Sequence, residues 1–388
     1  MKLAELRYGQ KGIKLMHNMK AFEASLTPHL TLEDYPFAVD FEVNIPIYDG
    51  DQLRALDAQN MAQVQAEWAQ CWHHGAGVLV VRKLYDQVAI VDAVTEVFYQ
   101  LLHEQNQKPQ TSGDHFAAKG VNGRIWNCLE KLAVTHPQGF IDYYKNPLLA
   151  QLCEAWLGPD YQLTSQVNLV YPGGAAQQPH RDYHLGFTND AQVARYPLHV
   201  QIMSAMLTLQ GAVAHSDMPV ESGPTLLLPY SQRYEHGYAL YRDPEFVDYF
   251  AQHAVQLALQ KGDGLFFNPA LMHAAGENLS TDVQRMANLF QISSAFGKAM
   301  ESVDQQRMQL ACYDQLKATP LSVEELSAAA TALSDSYPFS SNMDRDPPAA
   351  SLRPVSGRDL LMQAVAEQWS LEHFANALQA LNWRKASH

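Results

Sequence analysis

Apolar residues change their spacing twice along this chain. From Asp51 to Trp72 they recur at helical intervals, Gly75 and Gly77 end that pattern, and Val78-Leu79-Val80-Val81 follows as the short continuous run of a buried strand. A second helical stretch spans Val88 to His103. A third, from Pro147 to Trp156, sets Leu148, Leu149, Leu152 and Trp156 on one face. From Tyr161 onward the pattern becomes one of short strands: Gln162 to Tyr171, a Pro172-Gly173-Gly174 turn, then Leu198 to Leu209, Thr225 to Leu228, His253 to Leu259, Gly264 to Phe267 and Arg285 to Ser293. Strands separated by turns, with no helices alternating between them, predict a β-sandwich or jelly roll flanked by helices and argue against a doubly wound α/β sheet.

The flanks differ in character. Residues 1–50, broken by Pro28, Pro36 and Pro46, predict an arm over the core, with a short strand signal from Phe41 to Ile47. The polar, glycine-bearing segment from Asn106 to Asn127 is too long for a simple connection and is a candidate lid or substrate loop. Past Ser293 the helical pattern returns, with Ser322 and Glu325 spaced as a capping box. A proline-bearing tether from Tyr337 to Gly357 leads to two amphipathic helices, one showing Leu361, Val365 and Trp369, the other Leu371, Phe374, Leu378 and Leu381. These are expected to cover their own chain rather than a second subunit, although monomer and homodimer both remain open. The division expected is an arm (1–50), a core with flanking helices (51–300) and a helical extension (301–388).

The 388 residues are 47% hydrophobic and 18% charged, ordinary for a chain that folds around a core. Net charge is −14 with no Lys/Arg cluster, which argues against a nucleic-acid groove. The four cysteines, Cys71, Cys128, Cys153 and Cys312, have neither metal nor disulfide spacing. With no apolar run of membrane-spanning length and no apolar leader after Met1, the expected setting is the cytoplasm, away from membranes.

Candidate chemistry concentrates in Gln178-Pro179-His180-Arg181-Asp182-Tyr183-His184. On an extended chain residues i and i+2 share a side, about 6.6 Å apart, so His180 and Asp182 can converge on one ion; on a helix they would diverge. His184, about 13 Å from His180 on the same face, is too far to share that ion. His273 is the expected third donor, after the Gly262-Asp263 turn and the run Leu265-Phe266-Phe267. Two neutral imidazoles and one carboxylate on one face of an octahedral ion leave three positions open, the donor set of non-haem Fe(II) oxygenases. Alone, His-x-Asp is a common chance pattern, so its neighbours decide. As a strand, the segment beginning at Arg285 puts Arg285, Ala287, Leu289 and Gln291 on one face. A guanidinium there needs an anionic partner, and its fork matches a carboxylate; an intraprotein salt bridge would serve equally.

In order and spacing these features resemble the phytanoyl-CoA dioxygenase family of Fe(II)/2-oxoglutarate oxygenases, in which His-x-Asp is followed by a distal His and then an Arg. The likeness runs from roughly Gly77 through Ser293. It includes Gly77-Val78-Leu79-Val80-Val81, similar to the family's opening strand, and Glu221-Ser222-Gly223-Pro224-Thr225-Leu226-Leu227-Leu228-Pro229, similar to its Asn-Gly-Pro hairpin. Two departures stand out. Ala275 replaces a small polar residue that helps hold the co-substrate, which turns attention to Asn168, Asn278 and Ser280. Pro229-Tyr230-Ser231-Gln232 stands where many members read Pro-Gly-Ser-His, with His236 displaced, which suggests an unusual substrate pocket.

The resemblance implies an α+β fold whose double-stranded β-helix core (jelly roll, cupin-like) is flanked by helices. It also implies iron(II) on His180, Asp182 and His273, with 2-oxoglutarate paired to Arg285 through its far carboxylate and O2 as the oxidant. The expected outcome is hydroxylation of an unactivated C–H bond in a small molecule, with succinate and CO2 released; desaturation and ring closure are the variants. Related halogenases carry a small residue at the Asp182 position, so its carboxylate argues against halogenation. Lys119, Arg124, Trp126 and Tyr183 are candidate substrate contacts, though each is as readily a solvated or packed residue. Two competing readings remain: a non-catalytic jelly-roll module with a closed metal shell, and a cupin-type enzyme without an oxo acid, in which Arg285 is an ordinary ion-pair residue.

Overall fold

The structure, a computed structural model, describes residues 18–27, 30–107, 122–182, 184–235, 238–347 and 352–387. Lys119, Tyr183 and most of the expected lid lie outside them. The strands, in chain order, are β1 (Asp40–Glu42), β2 (Ile45–Asp49), β3 (Val78–Arg82), β4 (Asn122–Ile125), β5 (Gln162–Val170), β6 (Thr208–Ala214), β7 (Leu226–Leu227), β8 (Gly264–Phe267), β9 (His273–Ala274) and β10 (Arg285–Ser293). Eight of them form one sheet in the order β1-β2-β3-β8-β6-β10-β5-β4. Facing it is a second sheet of very short pairings, in which His180 bridges His273, β9 pairs with β7, and Leu227 bridges Val255.

From β5 to β10 the chain passes between the two sheets in turn. It runs from β5 to the 180 segment, back to β6, across to β7 and the Val255 segment, back to β8, across to β9 and home to β10. That alternation between opposed antiparallel sheets is the jelly-roll, or double-stranded β-helix, arrangement. Parts of the arm join it: β2 pairs in parallel with β3 and extends the large sheet, and the run from Phe41 to Ile47 is a hairpin rather than one strand, turning at Val43 and Asn44 between β1 and β2.

Gly262 and Asp263 make the turn into β8. Gly262 has φ +91°, and a Cβ there would sit 2.8 Å from the Tyr85 carbonyl. The Asp263 carboxylate, almost fully buried, accepts from the Lys83 and Gln260 amides at 2.9 Å each and from Arg82 at 2.8 Å.

Helices cover the outer face of the large sheet. Val88–Asn106 and Pro147–Leu157 fall close to the predicted positions, and the stretch after Asp51 splits into Gly50–Arg54 and Ala58–His74, with Asp57 capping the second. Leu198 to Leu209 is a correction: residues Leu198–Met206 form a helix, and only the end of the run enters β6. That helix leaves Met203 and Met206 exposed, so its apolar residues do not mark its buried side. The run from His253 to Leu259 is likewise no continuous strand. His253 ends the helix Pro244–His253, and Val255 and Leu259 pair singly.

Ser322 caps Val323–Leu333 with Glu325 in the expected box. The last two helices, Gly357–Ala366 and Leu371–Lys385, bury Leu361, Phe374, Leu378 and Leu381 within the chain; Phe374 stacks on Tyr313 of the helix Gln305–Ala318, ring centroids 4.4 Å apart.

Between the large sheet and its helices, His215 is a fully buried imidazole. Thr95 Oγ1 donates to the Val91 carbonyl, so it accepts from His215 Nδ1 at 2.8 Å, which leaves Nε2 to accept from the Tyr143 hydroxyl at 2.9 Å. Burial, with Lys261 adding to it, pushes this imidazole from its ordinary 6.5 down to about 3. The unfolded chain therefore takes up a proton that the folded chain refuses. Stability from this group is complete above about pH 6.5 and falls towards pH 3, by up to about 1.4 kcal/mol per pH unit. Urea unfolding at pH 7, 6 and 5 should show that slope in the wild type and a shallower one in His215→Gln; equal slopes would contradict the buried neutral imidazole.

Candidate metal centre

Backbone pairing brings the candidate donors together. His180 N–H donates to the His273 carbonyl at 2.9 Å and His273 N–H to the His180 carbonyl at 3.1 Å, so two residues 93 positions apart face one another across the small sheet. Asp182 continues the extended segment, its own N–H bonded to the Pro269 carbonyl at 3.0 Å. His180 Nε2 lies 3.8 Å from Asp182 Oδ1, and His273 Nε2 lies 3.4 Å from Asp182 Oδ2. One atom from each of the three residues lies within 4.8 Å of the others.

Each imidazole donates from Nδ1 to a carbonyl two residues earlier, His180 to Gln178 and His273 to Leu271, both at 2.9 Å. These bonds fix the tautomer and turn both Nε2 lone pairs inward, the orientation a metal ligand needs. Burial opposes the Asp182 charge, but His180, His273 and the Gln210 side chain outweigh it and pull the carboxyl to about 2. Burial, then the neighbouring His273, lowers the His180 imidazole. The group offers two imidazole Nε2 atoms and one carboxylate oxygen, a donor set that fits Fe(II). His184 turns off this line at φ 41°, with Nε2 towards the Lys298 carbonyl and Nδ1 towards Ser204.

The three donors open into a cavity of about 780 Å³ between the sheets. Arg285, Ala287, Leu289 and Gln291 all line it, the face that strand alternation predicts for β10. Arg285 is 6% exposed and donates to the carbonyls of Ser222 at 3.1 Å and Gly276 at 3.4 Å. Burial lowers its guanidinium to about 10, and among the described residues no carboxylate lies within ion-pair distance. A buried cation with only carbonyls for company is set to take an anion from the cavity.

The remaining sequence candidates divide. Asn168, Arg124 and Trp126 line the cavity; the Arg124 guanidinium carbon stands 5.1 Å from the Trp126 ring centroid, and its Nη1 donates to Gln166 at 3.2 Å. Asn278 and Ser280 do not line it. Asn278 donates to the Val170 and Val283 carbonyls and accepts from the Ser280 amide and hydroxyl, bracing its own loop. Sequence reasoning missed Gln210, whose amide donates to Asp182 Oδ2 and whose Oε1 is buried without a partner. It placed Gln291 on the Arg285 face without singling it out, level with Gln210 on the adjacent strand, and it missed Glu301, which lines the cavity and accepts from the Asn127 amide at 2.7 Å.

The model of the phytanoyl-CoA dioxygenase family matches residues 73–287. "Dioxygenase andF" of Emericella variicolor is 26% identical over 216 residues, covering 54% of this chain and 67% of the relative. "Dioxygenase cdmD" of Talaromyces verruculosus is 25% identical over 221 residues, 54% of this chain and 68% of that protein. Among solved structures, the epimerase SnoN in complex with Fe3+, alpha ketoglutarate and nogalamycin RO is 20% identical with a TM-score of 0.42, covering 62% of this chain and 85% of the other. The alpha ketoglutarate dependent carbocyclase SnoK is 18% identical with a TM-score of 0.43, covering 63% and 86%.

Replacing Asp182 with Ala removes the only anionic donor while the backbone pairing stays. Fe(II) affinity in anaerobic titration should fall by at least about 100-fold with the circular dichroism spectrum unchanged; undiminished affinity would show that Asp182 is no ligand.

Proposed function

Since this chain belongs to the phytanoyl-CoA dioxygenase family, we propose that His180, Asp182 and His273 hold its iron and that Arg285 holds 2-oxoglutarate by the carboxylate remote from the metal. The enzyme is an Fe(II)/2-oxoglutarate-dependent dioxygenase. One observation carries the residue assignment: three donors line a single cavity between two sheets with an arginine that has no carboxylate partner among the described residues.

Iron bound there supplies activation of O2 coupled to oxidative decarboxylation of 2-oxoglutarate, which yields succinate and CO2. The chain's own residues bind, orient and shield. His180 and His273, locked by their Nδ1–H bonds, offer lone pairs in fixed directions. Gln210 holds the Asp182 carboxylate by Oδ2, so the group does not swing towards solvent. Arg285 orients the bound co-substrate, its fork matched to a carboxylate. Leu259, Leu265, Phe267 and Leu289 exclude water around the co-substrate.

A closed structural metal site would need a fourth protein donor, and among the described residues the group holds three. With a carboxylate at position 182 rather than a small residue, hydroxylation of an unactivated C–H bond is the reaction favoured over halogenation. The substrate is a small molecule, sized by what the cavity accommodates beside the co-substrate, with Arg124 and Trp126 as contacts.

Anaerobic addition of Fe(II) and 2-oxoglutarate should give the visible charge-transfer band of the chelate. In Arg285→Ala the 2-oxoglutarate concentration for half the band should rise by about 30- to 150-fold, the loss of about 2–3 kcal/mol expected for a charge-assisted pair. Full affinity in that variant would remove Arg285 from the co-substrate site.

A further inference from the structure

Next to the metal ligands, the backbone amide of Met272 and the guanidinium of Arg181, one from each ligand segment, converge on one buried serine. β7 runs beside β9 with Leu227 opposite His273, and the ladder continues one step as Leu228 N–H donates to the Met272 carbonyl at 3.0 Å. The reciprocal bond, from Met272 N–H to the Leu228 carbonyl, is diverted. The chain turns at Tyr230, φ 70°, and Ser231 N–H takes the Leu228 carbonyl at 3.2 Å. Met272 N–H donates instead to Ser231 Oγ at 2.7 Å, so a hydroxyl stands in for the missing rung.

The carbonyl of the same serine accepts from Arg181 Nη2, also at 2.7 Å. Met272 immediately precedes His273, and Arg181 lies between His180 and Asp182. Ser231 is 0% exposed and Arg181 2%, so neither bond is shared with solvent. The two mutual bonds between His180 and His273 join the ligand strands along one line and leave them free to splay about it. Ser231 ties the residues flanking that line from one side and fixes the angle.

We propose that Ser231 is a positioning residue for the metal centre, holding the His180–Asp182 segment and His273 at their mutual spacing before an ion arrives. The proposal rests on the metal site argued above. Groups behind metal ligands commonly change affinity by 10- to 100-fold when removed, because a donor that must be ordered on binding binds less tightly.

Co(II), whose visible spectrum reports coordination geometry, is the probe. Titrated into the full chain well below its melting temperature, it should bind Ser231→Ala on the order of 10-fold more weakly than wild type, with altered visible bands. Ser231→Cys, which keeps the volume and a weak acceptor, should fall between, and it decides the matter if the Ala variant does not accumulate folded. Variants that bind Co(II) and absorb like wild type while only their melting temperature drops would make Ser231 a packing residue and overturn the proposal. Wild type that takes up no Co(II) would instead overturn the metal site, a distinguishable result.

Discussion

Everything at this site depends on holding three electron donors close together before anything positive joins them. Two imidazole lone pairs and a carboxylate within 4.8 Å, one of the three buried and the other two half-buried, are unfavourable neighbours where little water reaches them. The backbone meets that cost. The reciprocal amide bonds between His180 and His273, the Asp182 amide bond to Pro269 and the side-chain bonds at each Nδ1 leave the donors little freedom to relax apart. The jelly roll supplies this pairing because it runs two sequence-distant segments antiparallel in its small sheet while the large sheet forms the opposite wall.

A second buried charge lines the same cavity. Arg285 is placed by β10, whose alternate residues face inward between β5 and β6. Among the described residues its bonded partners are carbonyls, so its charge is left without a carboxylate there, which suits the proposed capture and release of a dicarboxylate. Buried acceptors without partners, Asn168 Oδ1 and Gln291 Oε1, mark further positions on the same wall where a bound molecule can complete hydrogen bonds.

Much of this was legible in the sequence because it follows from period-two alternation. His180 and Asp182 share a side, as do Arg285 and Gln291, whatever the rest of the chain does. The run from Leu198 to Leu209 misled because a surface helix with exposed methionines carries no clean apolar stripe, and its Val and Ile residues imitate a strand. That error also hid Gln210. With β6 beginning at Thr208, alternation sends Gln210 inward beside Asp182. Asn278 and Ser280 looked like co-substrate contacts by proximity to His273, but an Asn followed by Ser two positions later readily braces its own turn, and nothing in the residue types separates the two uses. Ser231 stood within Pro229-Tyr230-Ser231-Gln232, but nothing in that segment pointed to the metal ligands, because its bonds to Met272 and Arg181 arise from where β7 stops.

The central claim is that these three side chains share one ion with room left for 2-oxoglutarate, whose far carboxylate meets Arg285. Anomalous diffraction from crystals grown anaerobically with Mn(II) and 2-oxoglutarate tests it most directly. The account predicts a single peak bonded to His180 Nε2, Asp182 and His273 Nε2, with the co-substrate chelating the ion and reaching Arg285. A fourth protein atom closing the coordination sphere, or an ion seated away from these residues, would contradict it.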